Sequence, residues 1–304
     1  MVLTERSVTD NLFPGFRLLD VRTSGPRIRV RVGGEGPPLL LLHGYPQTHV
    51  MWRRVASRLA QRFTLICPDL RGYGDSDKPR GEPAHANYSK RAMAADMAAL
   101  MRSLGHERYA VCGHDRGARV AHRLALDHAG AVTKLALLDI APTLDMYDST
   151  DMRFASAYYH WFHLIQPSPL PETMIGGNPR FYLHWKLGGW GASGVGHIEP
   201  VALAEYERCF CRAETIHAVC EDYRAAAGID LEHDRASRAA AQMIACDTLA
   251  LWGERGVVQA MFEPLALWQA QCSARVSGRA LAAGHFLAEE RPEETAAALL
   301  DFFS

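Results

Sequence analysis

The sequence lacks several features that would each define a class of protein. It has no apolar run long enough to cross a bilayer, and residues 1–10 are too polar for a secretory signal peptide. Its formal net charge is -1, which gives no reason to expect nucleic acid or an anionic membrane as a partner. We therefore expect a cytoplasmic protein that binds neither nucleic acid nor membranes.

The seven cysteines also lack a pattern that would define a site. The sequence has no Cys-x-x-Cys pair, the count is odd, and no histidine pairs lie nearby, so reduced and mostly buried thiols are expected. Cys209 and Cys211 lie close together, but two such residues alone do not predict a metal centre. We expect no metal and no cofactor.

What the sequence does contain is an alternation of short apolar runs and helical segments. Strands are predicted at Arg17–Val21, Ile28–Val32, Pro38–Leu42, Phe63–Cys67, Tyr109–Cys112, Val132–Leu138, Thr248–Trp252 and Arg275–Arg279. Helices are predicted at Trp52–Gln61, Ser89–Leu104, from Ala118 onward, at Phe262–Ala270 and at Glu293–Phe302. This order predicts the α/β class, with a mostly parallel, doubly wound sheet.

The pattern changes between Pro142 and about Ala245, where aromatic residues, prolines and glycines are frequent and no buried strand is evident. A mostly helical insertion is predicted there. The expected organisation is a first part of the α/β core at 1–142, a helical cap at 143–246 and a second part of the core at 247–304.

The pentapeptide Gly113-His114-Asp115-Arg116-Gly117 lies between a predicted strand and a predicted helix. It has the form Gly-x-nucleophile-x-Gly, the sharp turn that raises a nucleophile above a parallel sheet. Serine is the usual central residue, whereas Asp115 is already ionised at neutral pH. A carboxylate attacks a saturated carbon that carries a leaving group and forms an ester on the protein. The alternative is a tight turn in which Asp115 only caps the following helix.

Two further residues follow predicted strands, so they should meet Asp115 at the carboxyl edge of the sheet. His285 would activate water for attack on the ester, and Asp139 would orient its imidazole. Glu254 is the alternative acid, because it follows Leu251-Trp252-Gly253, after which many related enzymes place the acid. The expected set is Asp115, His285 and Asp139.

Backbone N–H groups for an oxyanion hole are expected from Tyr45, in the loop after the Pro38–Leu42 strand, and from Arg116, directly after the nucleophile. The side chains of Arg116 and Arg119 lie three residues apart and hence on one helix face. Two guanidinium groups there favour bidentate binding of a small carboxylate substrate. The alternative is that either arginine pairs with an acid of the core.

With these residues the chain resembles the fluoroacetate dehalogenases, a haloacetate-cleaving branch of the α/β-hydrolases. The resemblance covers nearly the whole chain and is carried by His43-Gly44-Tyr45-Pro46-Gln47-Thr48-His49, Gly113–Val120, Tyr159-His160-Trp161, Cys220–Ala225 and Gly284-His285-Phe286. Epoxide hydrolases and haloalkane dehalogenases share the pentapeptide, so the two arginines with His160-Trp161 are more selective. Tyr45 departs from the family pattern, in which phenylalanine is more often expected.

The resemblance implies conversion of fluoroacetate to glycolate and fluoride, or cleavage of chloro- or bromoacetate, by a homodimer without a cofactor. Asp115 would attack, His285 with Asp139 would hydrolyse the ester, and Arg116 and Arg119 would hold the substrate carboxylate. It further implies that His160, Trp161 and Tyr223 of the cap donate hydrogen bonds to the halide. Lys186 and Trp190 match as possible pocket residues. Without the other motifs, His160-Trp161 would indicate an aromatic cap core.

Two rival functions remain at this stage. An epoxide hydrolase would use the same ester and would need cap tyrosines, such as Tyr223 with Tyr158 or Tyr159, to protonate the epoxide oxygen. Arg116 argues against it, since a neutral epoxide offers no partner for a cation beside the nucleophile. A ligand-binding receptor with a hydrolase fold is disfavoured by the complete set of nucleophile, base and acid.

Overall fold

A computed structural model describes residues 2–6, 12–22 and 25–304. Within those residues the strands are β1 (Val2–Arg6), β2 (Arg17–Arg22), β3 (Arg27–Gly33), β4 (Pro38–Leu42), β5 (Thr64–Pro68), β6 (Tyr109–His114), β7 (Val132–Leu138), β8 (Asp247–Gly253) and β9 (Val276–Leu281). They form one nine-stranded sheet in the order β1-β2-β3-β5-β4-β6-β7-β8-β9.

The helices of the core flank this sheet. They are α1 (Arg53–Leu59), α2 (Lys90–Ser103), α3 (Arg116–Asp127), then α12 (Val257–Met261), α13 (Pro264–Gln269), α14 (Leu287–Glu290) and α15 (Pro292–Phe303) after the cap. Short 3-10 helices span His49–Trp52 and Pro83–Tyr88. The Ser89 side chain accepts a hydrogen bond from the Ala92 N–H, as expected of the residue that caps α2.

The cap helices lie between β7 and β8. They are α4 (Thr143–Asp148), α5 (Met152–Ala157), α6 (Tyr159–Leu164), α7 (Leu170–Gly176), α8 (Pro179–Leu187), α9 (Pro200–Phe210), α10 (Ala213–Ala227) and α11 (Ile229–Ala239). The predicted helical insertion is therefore present, and this segment is called the cap below. Across the described ranges, no helix combines the length and the apolar character that crossing a membrane requires.

The sheet has two parts with different strand directions. Strands β1, β2, β3 and β5 pair antiparallel, and the predicted hairpin is the β2–β3 pair. From β5 through β4, β6, β7 and β8 to β9 every pairing is parallel. The continuous apolar run of β4 is buried in the middle of this parallel part, as its sequence indicates. The predicted α/β fold with a mostly parallel sheet is confirmed.

The parallel part of the sheet brings the candidate residues together. Strands β6 and β7 are neighbours, and Asp115 and Asp139 directly follow them. His285 lies in the connection from β9 to α14, two strands beyond β7. Because parallel strands end on one edge, residues far apart in sequence converge under the cap.

Candidate active site

The pentapeptide around Asp115 forms the predicted sharp turn. Asp115 has φ 46° and ψ -116°, a positive-φ conformation that is strained for a residue with a side chain. A Cβ at Gly117 would lie 2.2 Å from the His43 carbonyl oxygen, and one at Gly113 would lie 2.6 Å from the Ala118 backbone. Both flanking positions therefore require glycine, and Asp115 is held at the carboxyl end of β6.

The predicted base and acid are hydrogen-bonded to each other beside Asp115. His285 Nδ1 lies 2.5 Å from Asp139 Oδ2, and the Gly253 N–H donates to Asp139 Oδ1 at 2.9 Å. The other ring nitrogen, His285 Nε2, lies 3.9 Å from Asp115 Oδ2. Glu254 is exposed, so the alternative acid does not reach the site. The structure brings Asp115, His285 and Asp139 together.

Burial and neighbouring charges shift the pKa values of Asp115, His285 and Asp139. Burial raises the pKa of Asp115, but the positive charges of His285, Arg119 and Arg116 outweigh burial and lower it. Burial lowers the pKa of His285, but its hydrogen bond to Asp139 and the charges of Asp139 and Asp115 raise it above the ordinary value. Burial raises the pKa of Asp139. Asp115 is therefore an ionised carboxylate beside an imidazole whose pKa its own charge helps to raise.

One oxyanion donor already contacts the nucleophile. The Tyr45 backbone N–H donates to Asp115 Oδ1 at 3.0 Å. The Arg116 N–H belongs to the first turn of α3, where backbone N–H groups have no acceptor within the helix. Asp115 Oδ1 thus accepts the Tyr45 N–H, whereas Asp115 Oδ2 is the oxygen nearer His285.

Arg116 departs from the expected geometry. Its Nε donates to Asp222 Oδ2 at 3.0 Å, and its Nη2 donates to Asp222 Oδ1 at 2.7 Å and to the Asp222 carbonyl oxygen at 2.9 Å. Its Nη1 is buried and has no hydrogen-bond partner within the described ranges. A bidentate grip on a substrate through Nε and Nη2 is therefore not available, because Asp222 occupies that edge. One amino group remains for a ligand.

Asp222 is a residue that the sequence interpretation quoted within a motif but gave no role. It lies on α10 of the cap and also accepts a hydrogen bond from the Tyr73 hydroxyl at 2.6 Å and one from the Lys90 ammonium. The cations Arg116 and Lys90 outweigh burial and hold its pKa well below the usual value. Asp222 directly precedes the predicted site residue Tyr223 in Cys220–Ala225, which could have indicated that it lies near the site. Nothing in the sequence identifies Arg116 as its partner.

Arg119 is a buried cation that has no ion pair with an acid among the described residues. Its Nη1 donates to Thr143 Oγ1 at 2.8 Å and to the Ala141 carbonyl at 3.2 Å, and its Nη2 contacts Met146 Sδ at 3.3 Å. Its Nε is buried, and no hydrogen-bond acceptor in the described part of the chain reaches it. Burial and the neighbouring Arg116 lower the pKa of Arg119. An anionic ligand would give Nε a hydrogen-bond acceptor and would supply a counter-charge for the buried guanidinium.

The three predicted halide donors lie together on the cap side of the nucleophile. The His160 and Tyr223 rings are 5.5 Å apart, and the Trp161 and Tyr223 rings are 6.5 Å apart. His160 Nδ1 and the Tyr223 hydroxyl are buried and lack partners among the residues described. Burial, reinforced by nearby cations, holds the pKa of His160 well below its usual value, so its ring is neutral. Polar atoms that are buried without partners mark a place for a ligand.

Tyr45 adds an aromatic wall to this group. Its ring stacks on His160 at 5.8 Å and meets Tyr223 edge-on at 5.3 Å. Its hydroxyl, the group that distinguishes it from the expected phenylalanine, is buried, and burial raises its pKa well above the ordinary value. At neutral pH it therefore stays protonated.

Lys186 and Trp190, the two possible pocket residues, contact each other behind His160. Lys186 Nζ lies 5.1 Å from the centre of the Trp190 ring, and that ring is 4.7 Å from His160 and 5.1 Å from His285. The Trp190 carbonyl accepts the His285 N–H at 3.0 Å. Trp190 therefore links the cap to the catalytic histidine through both its ring and its backbone.

The described residues contain one group with metal-ligand spacing, formed by Glu172, His217 and Glu221. Arg224 bonds both glutamates, so their charge is already compensated. The predicted catalytic residues do not belong to this group, and neither do Cys209 and Cys211.

Comparison with known proteins agrees with this geometry. A family model described as the α/β hydrolase fold matches residues 37–192. A fluoroacetate dehalogenase from a Burkholderia species is 45% identical over 96% of this chain and 95% of that protein. A soluble epoxide hydrolase from a Corynebacterium species is 32% identical over 92% of this chain and 95% of that protein. A solved structure described as an α/β hydrolase, from a Nostoc species, has a TM-score of 0.93 and 56% identity, and covers 95% of this chain and 98% of that chain.

The chain belongs to the α/β hydrolase fold family. Within that family, the resemblance to fluoroacetate dehalogenase that its motifs indicated is confirmed over nearly the full length. A relative named as an epoxide hydrolase shares most of the chain as well, so the choice between the two activities depends on the site.

Proposed function

We propose that this enzyme hydrolyses the carbon–halogen bond of a small 2-haloacid, such as fluoro-, chloro- or bromoacetate, through an ester on Asp115. The observation that carries this proposal is Arg119, a buried cation without an acid partner among the described residues, one helical turn from the ionised Asp115. A small carboxylate at Arg119 and at Nη1 of Arg116 would place its α carbon beside Asp115. The core would comprise 1–142 and 247–304, with the cap at 143–246.

In the first step an oxygen of Asp115 attacks the α carbon and the halide leaves with the bonding electron pair. Oδ2 is the favoured nucleophile, because the Tyr45 N–H is bonded to Oδ1. His160, Trp161 and Tyr223 would donate hydrogen bonds to the halide as its charge develops, in place of the hydration shell that fluoride has in water. The product of this step is an ester that carries the substrate carboxylate.

In the second step water attacks the carbonyl carbon of that ester. His285 Nε2 takes the proton from the water, and the Tyr45 and Arg116 N–H groups stabilise the oxyanion. When the oxyanion collapses, the bond between the carbonyl carbon and the glycolate oxygen breaks and His285 returns the proton to that oxygen. Glycolate is released, and the second proton of the water is lost to solvent as the Asp115 carboxylate is restored. Esterification removes the negative charge of Asp115, which is one cause of the raised His285 pKa. The His285 pKa therefore falls when the ester forms, at the stage at which a neutral imidazole is required.

The rival activity, epoxide hydrolysis, is supported by one relative and by the shared Asp115 mechanism. It would need acidic hydroxyl groups near the nucleophile, and burial raises the pKa of both Tyr223 and Tyr158 well above the ordinary value. It would also leave Arg119 without an anionic partner. Both features favour the haloacid.

The experiment that separates the two activities measures halide release from fluoro-, chloro- and bromoacetate beside diol formation from styrene oxide. We expect halide release from at least one haloacetate at a far higher kcat/KM than that for epoxide opening. Diol formation without any halide release would establish the epoxide hydrolase instead. The Asp115→Asn variant is the blank for both reactions.

Replacing Arg119 with methionine is expected to lower kcat/KM for bromoacetate about 100-fold, chiefly through KM, because charge-assisted hydrogen bonds to the carboxylate are lost. Methionine retains much of the side-chain volume. The matched measurement uses bromoacetamide, a neutral analogue, whose turnover should change little. An equal loss for the acid and the amide would show that Arg119 serves the fold and not the carboxylate.

We also propose that the enzyme is a cytoplasmic homodimer. The seven cysteines are all unpaired thiols, as expected in a reducing compartment. Four apolar side chains on α7 and α8 are more than half exposed, and we call them the α7–α8 surface: Leu170, Met174, Phe181 and Trp185. The Phe181 and Trp185 rings lie 6.1 Å apart, so the surface is contiguous there. An exposed apolar surface of this kind favours contact with a second copy.

Introducing glutamate at both Phe181 and Trp185 is expected to convert the dimer to a monomer, because two charges would be buried in the contact. Light scattering coupled to size-exclusion chromatography gives the mass. Met152→Glu is the control, because Met152 is exposed but lies on α5, outside the α7–α8 surface. A mass that is unchanged in the double variant would refute this interface.

A further inference from the structure

Lys186 differs from most of the buried cations of this protein. Arg29, Arg53, Arg71, Lys90 and Arg123 each pair with at least one carboxylate. Lys186 is only 2% exposed, and no carboxylate of the described residues lies within ion-pair distance of it. Burial alone lowers its pKa to about 7. In this respect it resembles Arg119, which we assign to an anionic ligand.

Aromatic rings surround the Lys186 ammonium. Its Nζ lies 3.7 Å from the centre of the Tyr159 ring, 5.1 Å from that of Trp190 and 5.8 Å from that of Tyr182. Ring faces attract a cation and offset part of the cost of its burial. They supply no counter-charge, however, and they accept none of the three N–H hydrogens as a carboxylate would. The protonated amine retains its capacity to bind an anion.

Further polar atoms near Lys186 lack partners. Both ring nitrogens of His163 are buried without a hydrogen-bond partner in the described ranges, and the His163 ring lies 6.1 Å from the ring of Tyr182, whose hydroxyl interacts with that of Tyr45. The charge of Lys186 acts on His163 and His160, since it lowers the pKa of both histidines. Nearly all buried polar groups in proteins are hydrogen-bonded, so the ring nitrogens of His163 are groups that a ligand at Lys186 could engage.

The position of this cluster relates it to the catalytic groups. Trp190 contacts Lys186 on one side and both His160 and His285 on the other. Its backbone has φ 55°, a left-handed conformation that is strained for a bulky side chain. Such strain persists where the surrounding structure requires it, and it concentrates at functional sites. Lys186 therefore lies one aromatic ring away from the catalytic site.

We propose that Lys186, with His163, forms a second binding site for a small monoanion, separate from the Arg116–Arg119 site and from the halide donors. A small monoanion is the chemistry shared by the incoming haloacetate and the outgoing halide. This inference rests on the proposed function for its role in turnover, but the binding of an anion at Lys186 does not depend on turnover. The charge of Lys186 lowers the pKa of His160, so Lys186 lies within electrostatic reach of a halide bound at His160.

Binding is tested with bromide, whose anomalous scattering locates it in crystals. In Asp115→Asn crystals soaked in sodium bromide, we expect one peak in contact with Lys186 Nζ and another at His160, Trp161 and Tyr223. In the Asp115→Asn/Lys186→Met double variant only the second peak should remain. Methionine suits an apolar aromatic surrounding, so the fold should persist. Bromide at the halide donors but not at Lys186 overturns the proposal.

Kinetics distinguish the two sources of the anion. If Lys186 receives the outgoing halide, Lys186→Met should lower kcat and weaken inhibition by added bromide, each about tenfold, while the rate of ester formation in a single turnover stays unchanged. If Lys186 captures the incoming acid, the variant should instead raise KM for bromoacetate and not for neutral bromoacetamide. Lys186→Arg, which keeps the charge, should restore most of either effect.

The outcomes also separate this inference from the proposed function. A wild-type enzyme that releases no halide from any haloacetate refutes dehalogenation, yet a bromide peak at Lys186 would still establish the anion site. Conversely, normal dehalogenation in Lys186→Met, with kcat, KM and bromide inhibition all unchanged, refutes a role for the site in turnover.

Discussion

Replacing Asp115 with asparagine is expected to lower the rate of halide release from haloacetates by about four orders of magnitude or more, because an amide oxygen does not displace halide from carbon at a useful rate. Asparagine keeps the size of the side chain and an oxygen to accept the Tyr45 N–H, so the fold should be preserved. The measurement is steady-state halide release, with circular dichroism to check the fold. The mass of the variant must also be verified, since deamidation would regenerate the nucleophile.

A variant that retained activity within about tenfold of the wild type would exclude Asp115 as the nucleophile. An isotope experiment on the wild type tests the same claim without mutation. In one turnover in heavy-oxygen water, the label should enter Asp115, because water attacks the ester carbonyl and not the substrate carbon. Label found directly in glycolate would require water to attack the substrate itself.

The positions of Asp115 and Asp139 at the carboxyl edge of the sheet could be predicted because each depends on local sequence. Asp115 lies in a turn whose flanking glycines are required by contacts with neighbouring backbone, and those glycines are visible in the sequence. Asp139 directly follows a strand that reads as buried. Glu254 was a reasonable alternative from its position after β8, but its side chain points to solvent, and it is the neighbouring Gly253 N–H that binds Asp139.

The partner of Arg116 could not be predicted because it depends on how the cap docks on the core. Asp222 lies 106 residues away on α10, and no local pattern connects the two. The consequence for the site is large, since the pair consumes Nε and Nη2 of Arg116 and leaves Arg119 as the buried cation that has no ion pair with an acid in the described residues. The two arginines are visible in the sequence, whereas only the structure shows that their hydrogen-bond partners differ.

Replacing His285 with asparagine is expected to abolish steady-state turnover while leaving the first step intact, so that the ester accumulates on Asp115. A positioned general base contributes about 10²–10⁴-fold to such a step. Asparagine offers an N–H to Asp139 but cannot accept a proton from water. Intact-mass spectrometry after addition of fluoro- or bromoacetate should show one carboxymethyl group per chain, with one equivalent of halide released. The Asp115→Asn/His285→Asn double variant should show no adduct.

The pH dependence of the wild type also tests whether His285 is the base in ester hydrolysis, because the His285 pKa is raised. His285 is protonated below its pKa, so ester hydrolysis should slow as the pH falls through the pKa that His285 has once the ester has formed, whereas attack by Asp115 persists until far lower pH because the Asp115 pKa is lowered. The ester should therefore accumulate in acid even without mutation. Rapid-quench mass spectrometry across the pH range measures it. Because esterification removes the Asp115 charge that raises the His285 pKa, hydrolysis should lose its activity at a lower pH than the pKa measured for His285 in the free enzyme. A hydrolysis rate that follows the free-enzyme value instead would contradict the claim that loss of the Asp115 charge lowers the His285 pKa.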